Sequence, residues 1–157
     1  MYTVERNTHA CIAHRLVGHE GKCQFLHGHN YEFKVRLFSP YLNSLSMLMD
    51  FGDIKKFWDN WIDENWDHST ILNATDPLLS YFKKASSRSE VLNGIIGQRV
   101  VEFDGNPTAE RMAEFLAKKV RDDLWKLNVL PKIFSIHVTV EETPGNKATF
   151  TEFVQED

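Results

Sequence analysis

The residues best suited to chemistry lie in Cys23-Gln24-Phe25-Leu26-His27-Gly28-His29-Asn30-Tyr31. His27 and His29 stand two apart, so in an extended strand both imidazoles leave the same face, and Gly28 between them lets backbone or ligand come close. Two imidazoles on one side make half of a metal site, and zinc is the usual solution for buried paired histidines whose lone pairs need a partner. A further imidazole comes from the preceding segment, where Ala10, Ile12, His14 and Leu16 share one face. A single histidine on an apolar face is more often structural than a ligand. What shifts the balance for His14 is that His27 and His29 carry the same inward parity on the next strand. Three histidines leave one tetrahedral position open, the pattern of a catalytic zinc; if Cys23 fills that position, Cys23-x3-His27-x-His29 is a structural clip instead, and spacing alone does not choose.

Two other groups carry chemical potential. Asp67 and His68 are adjacent, so a carboxylate is placed to orient an imidazole for proton transfer, although neighbours in sequence do not readily face each other on a helix. Glu142 falls on the apolar parity of a strand that alternates Phe134, Ile136, Val138 and Val140 against Ser135, His137, Thr139 and Glu141. A carboxylate on a core face needs a partner, such as a ligand's N–H groups, a cation or backbone amides. His9, His19 and His137 read as bystanders on polar parities or in a loop.

The elements that must position these groups follow from periodicity. Tyr2 to Leu16 predicts a first strand, Gly18 and Gly21 suit the turn after it, and Tyr31, Phe33, Val35 and Leu37 continue the histidine side of a second. That hairpin would bring His14 beside His27 and His29. Asp50 caps a predicted helix whose Phe51, Ile54, Trp58, Trp61, Ile62 and Asn65 recur at three and four residues. Asn106 as cap and Pro107 at the first position open another, with Ala109, Met112, Ala113, Leu116, Val120, Leu124 and Leu127 as its buried stripe. Ile133 to Glu142 and Lys147 to Val154 are strands joined at Thr143-Pro144-Gly145-Asn146. Between Asn73 and Glu102 the pattern is weak: Lys83 to Glu90 reads as a polar loop tip, and Gln98 to Phe103 as a short strand. The order is two strands, two helices, two strands, within one domain over residues 1–157.

A chain of 157 residues with 42% hydrophobic and 25% charged content has enough apolar material for a core and is neither disordered nor fibrous. The formal charge of −4 gives no general pull toward nucleic acid or an anionic membrane. Met1 to Ala10 lacks an apolar stretch, so neither a signal peptide nor a spanning helix is expected, and a cytoplasmic setting with Cys11 and Cys23 as free thiols follows.

Taken together, Ala13-His14-Arg15-Leu16, Cys23-x3-His27-Gly28-His29-Asn30-Tyr31, Met49-Asp50-Phe51, Asp67-His68, Leu72-Asn73, Asn106-Pro107-Thr108-Ala109-Glu110 and Glu142-Thr143 make the chain resemble the 6-pyruvoyl-tetrahydropterin synthase superfamily. The three residues between Cys23 and His27 look like its queuosine-pathway branch, the 6-carboxy-tetrahydropterin synthases. The resemblance implies an α+β tunnelling fold, a four-stranded antiparallel sheet with two helices on one face (ββααββ), closing into an oligomeric β-barrel as trimers and hexamers. It also implies zinc on His14, His27 and His29, a pterin triphosphate as substrate, Cys23 and an Asp67-oriented His68 as proton carriers, and Glu142 with Thr108 as substrate-binding residues. By the same resemblance the reaction releases acetaldehyde and triphosphate; the sibling outcome is the pyruvoyl product, and the rival outside catalysis is a zinc-stabilised oligomeric binding protein. Three departures stand out: Ser46 precedes Met47 where the family often has Gly, the stretch after His68 is one residue longer, and about 76–105 is an insertion. Arg15 and Lys22 are the candidates for meeting triphosphate, their plainer reading being surface charge.

Overall fold

A computed structural model of the chain describes residues 1–87 and 99–154. β1 (Tyr2–His14) and β2 (His27–Ser39) form a long antiparallel ladder, in which alternate residues of β2 from Tyr31 to Leu37 turn into the core. The alternation read from the sequence is thus a pleated surface with one buried face. β5 (Ser135–Thr143) adds antiparallel to β2, and β6 (Asn146–Phe153) to β5.

The sheet does not stop at four strands. β3 (Ser69–Asn73) pairs parallel with β1, and β4 (Val100–Phe103) pairs parallel with β3, giving a mixed six-stranded order β4-β3-β1-β2-β5-β6. This corrects the expected four-stranded antiparallel sheet. β3 escaped notice because its first four residues, Ser69 to Leu72, are all buried, so no polar and apolar alternation marks it. Of the predicted loop tip at Lys83 to Glu90, Lys83 to Ser87 instead belong to α3 (Pro77–Ser87), while 88–90 lie outside the described residues, as does Gln98 of the predicted short strand.

The helix begun at Asp50 is two short segments, α1 (Phe51–Phe57) and α2 (Asp59–Asn65), interrupted where the Trp58 backbone departs to φ −103°, ψ −74°. The cap is as expected, with Asp50 Oδ1 accepting from the Gly52 N–H at 2.6 Å. Ile54, Phe57, Trp58 and Ile62 turn inward, whereas Phe51 and Asn65 are exposed, a correction to the predicted stripe. α4 (Ala109–Lys126) packs on β5 and β6, burying Met112, Ala113, Leu116, Ala117, Val120 and Leu124. Leu127 is exposed because it is already the C-cap, and Asn128 at φ 56° ends the helix in the left-handed region that asparagine tolerates. The N-cap is Thr108, whose hydroxyl accepts from the Arg111 N–H at 3.3 Å, two residues beyond the predicted Asn106. Truncating a fully buried stripe residue such as Leu116 to Ala would cost about 2–5 kcal/mol, so the face of α4 holds the β5–β6 side of the sheet in place. Among the described residues no helix is long and apolar enough to cross a membrane.

Candidate metal centre

The hairpin register sets His14 directly across from His27 and Ile12 across from His29. The three imidazoles form a triangle with ring centroids 4.7, 5.3 and 4.8 Å apart. β5 brings the fourth donor: a register shift between Glu141 and Thr143 leaves Glu142 at a bulge, the device by which a strand re-aims one side chain. Ligand atoms of His14, His27, His29 and Glu142 all lie within 4.8 Å of one another, and Cys23 stands outside this group.

Backbone carbonyls set the tautomers. His14 Nδ1 lies 2.9 Å from the Pro107 carbonyl and His27 Nδ1 lies 2.7 Å from the Phe25 carbonyl. A carbonyl only accepts, so each Nδ1 carries the proton and each Nε2 keeps a lone pair facing inward, the arrangement that metal-bound histidines share. Burial first, and then neighbouring imidazoles, push the basicity of His14 and His29 below the ordinary range, while Glu142 pulls the other way. With His14 neutral, its Nε2 and Glu142 Oε1 are two lone-pair bearers facing each other at 3.0 Å. The imidazole lone pairs gathered beside this carboxylate fit a metal ion.

The carbonyl under His14 is itself held by an unexpected residue. Asn106 Oδ1 accepts from the Val17 N–H at 2.9 Å, its Nδ2 donates to the Val17 carbonyl at 2.9 Å, and Asn73 Nδ2 adds a bond at 3.1 Å. The side chain therefore pairs with backbone as a strand would, which is why it does not cap α4 and why Pro107 lies at His14. Arg15, a candidate for phosphate contact, is committed elsewhere: Nε and Nη2 grip Asp76 at 2.7 and 2.5 Å. Lys22 is exposed in the short 3-10 turn Lys22–Gln24.

A cavity of about 480 Å³ opens beside the cluster, lined by His14, Cys23, Thr108, Glu142 and Lys147 among others. Cys23 and Cys11 are both free thiols. Tyr31, read from the sequence only as a core strand residue, reaches this site with its hydroxyl 3.1 Å from Glu142. The signal for it was present, since Tyr31 shares the parity of His27 and His29.

Asp67 and His68 are placed apart from this cavity. Asp67 Oδ1 accepts from the Cys11 N–H at 2.8 Å and Oδ2 meets His68 Nδ1 at 2.6 Å. Burial opposes the Asp67 charge, but the hydrogen bonds from Cys11 and His68 prevail and hold its carboxyl below the usual range. His68 takes φ 53°, a left-handed conformation that costs a non-glycine residue energy, and leaves its imidazole 79% exposed. It lines a hollow with Cys11, Gly28 and Asn30, whereas Cys23 and Glu142 line the other. The structure gathers the three histidines and Glu142, sets Cys23 and Thr108 in the cavity beside them, and places His68 in the other hollow, which shares only His29 with that group.

Lone-pair donors converging from strands of an α+β sheet, two of them steered by backbone carbonyls and one set at a bulge, define a protein with a metal-competent centre beside a ligand-sized cavity. The model of the 6-pyruvoyl tetrahydropterin synthase family matches residues 3–152, and the chain belongs to that family. It is 36% identical over 132 residues to a 6-carboxy-5,6,7,8-tetrahydropterin synthase of Rickettsia felis, covering 84% of this chain and 87% of that one. A probable 6-carboxy-5,6,7,8-tetrahydropterin synthase of Halobacterium salinarum is 33% identical over 142 residues, 90% of this chain and 81% of its own length. Among solved structures, an uncharacterized protein of Wolinella succinogenes superposes with a TM-score of 0.77 at 25% identity, over 95% of this chain and 97% of that one. A Plasmodium vivax 6-pyruvoyltetrahydropterin synthase variant, 18% identical with a TM-score of 0.71 over 98% of this chain and 100% of that one, shares the fold.

Proposed function

We propose that the chain is a zinc-dependent carbon-carbon lyase converting 7,8-dihydroneopterin triphosphate and one water to 6-carboxy-5,6,7,8-tetrahydropterin, with release of acetaldehyde and triphosphate. The observation that carries this reading is the convergence of His14, His27, His29 and Glu142 beside a cavity that also holds Cys23 and Thr108. The relatives named for this reaction, and the short Cys23-x3-His27 spacing, support it over the pyruvoyl-forming sibling.

His14, His27 and His29 would hold the zinc, which when bound supplies Lewis acidity to the side-chain hydroxyls of the substrate. Glu142 receives the N–H edge of the pterin in a bidentate, charge-assisted contact, and Thr108 lines the same wall. Cys23 takes a proton as general base; a half-buried thiol at the cavity edge can reach substrate while keeping solvent contact. His68, oriented by Asp67, moves a second proton. Because His68 lines a different hollow, the pair would act on the cavity of another copy, so the working enzyme is a homo-oligomer, a trimer or a pair of trimers closed into a barrel. Closure would also cover the edges of β4 and β6. The product would feed queuosine and other 7-deazaguanine biosynthesis in the cytoplasm, without direct contact with nucleic acid or membrane.

The test is incubation of the zinc-loaded protein with 7,8-dihydroneopterin triphosphate while assaying acetaldehyde. Stoichiometric acetaldehyde is expected, and Cys23→Ala should lower its rate by about 10²–10⁴-fold with metal content unchanged. A product keeping all three side-chain carbons would assign the sibling reaction. If Cys23→Ala sheds metal while the wild type turns nothing over, the protein is a zinc-stabilised binding module.

A further inference from the structure

His68 combines an exposed imidazole with a left-handed backbone, a conformation that persists in a histidine only where the surroundings over-determine it. The peptide unit between Asp67 and His68 is held at both of its polar atoms. Its N–H, on His68, donates to the Cys11 carbonyl at 2.9 Å, and its carbonyl, on Asp67, accepts from Arg99 Nη1 at 2.9 Å. The same Nη1 also donates to the Asp63 carbonyl at 3.2 Å, in the last turn of α2, where a helix leaves carbonyls unpaired and favours a cation. Arg99 immediately precedes β4, and its own carbonyl accepts from the Thr70 N–H at 2.8 Å, so the pairing of β4 with β3 fixes where this side chain starts. Asp67 and Thr70, on either side of His68, are thus both gripped by one residue, 32 positions beyond Asp67 in the chain.

We propose that Arg99 is a positioning residue for the Asp67–His68 pair: it holds the peptide that joins them in the orientation that keeps His68 left-handed and its imidazole in its hollow. Without the guanidinium, that peptide is free to rotate about Asp67 ψ and His68 φ. Rotation returns His68 to the ordinary negative-φ region and breaks its N–H bond to Cys11. The carboxylate keeps its bond from the Cys11 N–H, but the imidazole leaves the direction that Asp67 sets. The stretch read from the sequence as an insertion thereby supplies one side of the clamp. The effect on turnover rests on the reading of His68 as a proton carrier given above.

The experiment pairs turnover with amide hydrogen exchange. Arg99→Ala is expected to lower kcat for acetaldehyde release about tenfold, the worth of one to two hydrogen bonds. KM and zinc content should stay within about twofold of wild type, because the metal cavity is untouched. In a His68→Ala background the same change should lower the rate no further, and Arg99→Lys, which keeps a cationic donor, should recover part of it. The His68 amide should exchange about tenfold faster in Arg99→Ala, while the amide of Val35, in the middle of the sheet, keeps its wild-type rate. An unchanged His68 amide overturns the clamp. So does a Val35 amide that speeds up equally, which makes Arg99 a general stabiliser, or an undiminished loss of kcat in the His68→Ala background, which places its effect elsewhere. If zinc-loaded wild type releases no acetaldehyde, the reaction falls and takes the link to turnover with it; a flat exchange profile with turnover intact sinks the clamp alone.

Discussion

The residue after the first metal-competent histidine offers a sharp test of how the centre is braced. Asp76 has no exposed side-chain surface and is gripped by Arg15 through two bonds of 2.7 and 2.5 Å, with a further bond from the Leu78 N–H at 2.8 Å. Arg15→Met would leave a buried carboxylate with one amide. Removing one partner of a buried pair costs about 3–5 kcal/mol; because Arg15 is 25% exposed, water can enter the vacated space, and the low end, about 3 kcal/mol, is expected. For a chain of this size that is a Tm lower by about 6–12 °C. The pH dependence has a definite sign. The Arg15 hydrogen bonds hold the Asp76 carboxyl below the usual range against burial. A depressed carboxyl contributes stability that is present above its unfolded value near 3.9 and is lost as pH falls through its folded value. The gap between wild type and Arg15→Met should therefore be full at pH 7 and close in acid. Denaturant unfolding of metal-free protein at one fixed protein concentration, at pH 7 and pH 3.5, measures it, with the double variant Arg15→Met, Asp76→Leu expected to recover most of the loss. A single variant within about 0.5 kcal/mol of wild type, or a gap equally wide at both pH values, would refute the reasoning.

Two further outcomes follow from the same geometry. Asn106→Ala removes the paired bonds to Val17 and should lower stability by about 1–3 kcal/mol while weakening metal retention, since the Pro107 carbonyl that fixes the His14 tautomer loses its tether; chelator competition reads the second effect, and unchanged retention would show that Pro107 holds its place without it. Because burial depresses the basicity of His14 and His29, protons should compete for these ligands only below the ordinary histidine range near 6.5. Metal content after dialysis should then be level from pH 8 to 7 and drop steeply in mild acid, whereas a loss already complete at pH 7 would contradict the burial argument.

Much of this is legible in the sequence itself. Period-two alternation placed His14, His27, His29 and Glu142 on one face, and the hairpin then had to bring three of them together. The α4 stripe was legible for the same reason, a strong period of 3.6. Other features leave no such trace. β3 is buried without alternation, and β4 has four residues. The bulge at Glu142 depends on how the Pro144-Gly145 turn closes, with Gly145 at φ 89°. The cap of α4 moved from Asn106 to Thr108 because a side chain that could have capped a helix is occupied by Val17, some 89 residues earlier in the chain. The carbonyls of Pro107 and Phe25 orient the imidazoles with atoms every residue possesses, so no side-chain pattern announces them. Nor does adjacency in sequence reveal that His68 and Cys23 line different hollows.

The ladder between the first two strands has one more implication. Sliding β1 past β2 by a single residue would turn each strand's inward set outward, and His14 would no longer oppose His27. An ion bridging both strands would therefore act as a lock on their alignment, binding only molecules whose hairpin has zipped correctly and draining misaligned conformers toward that one by mass action.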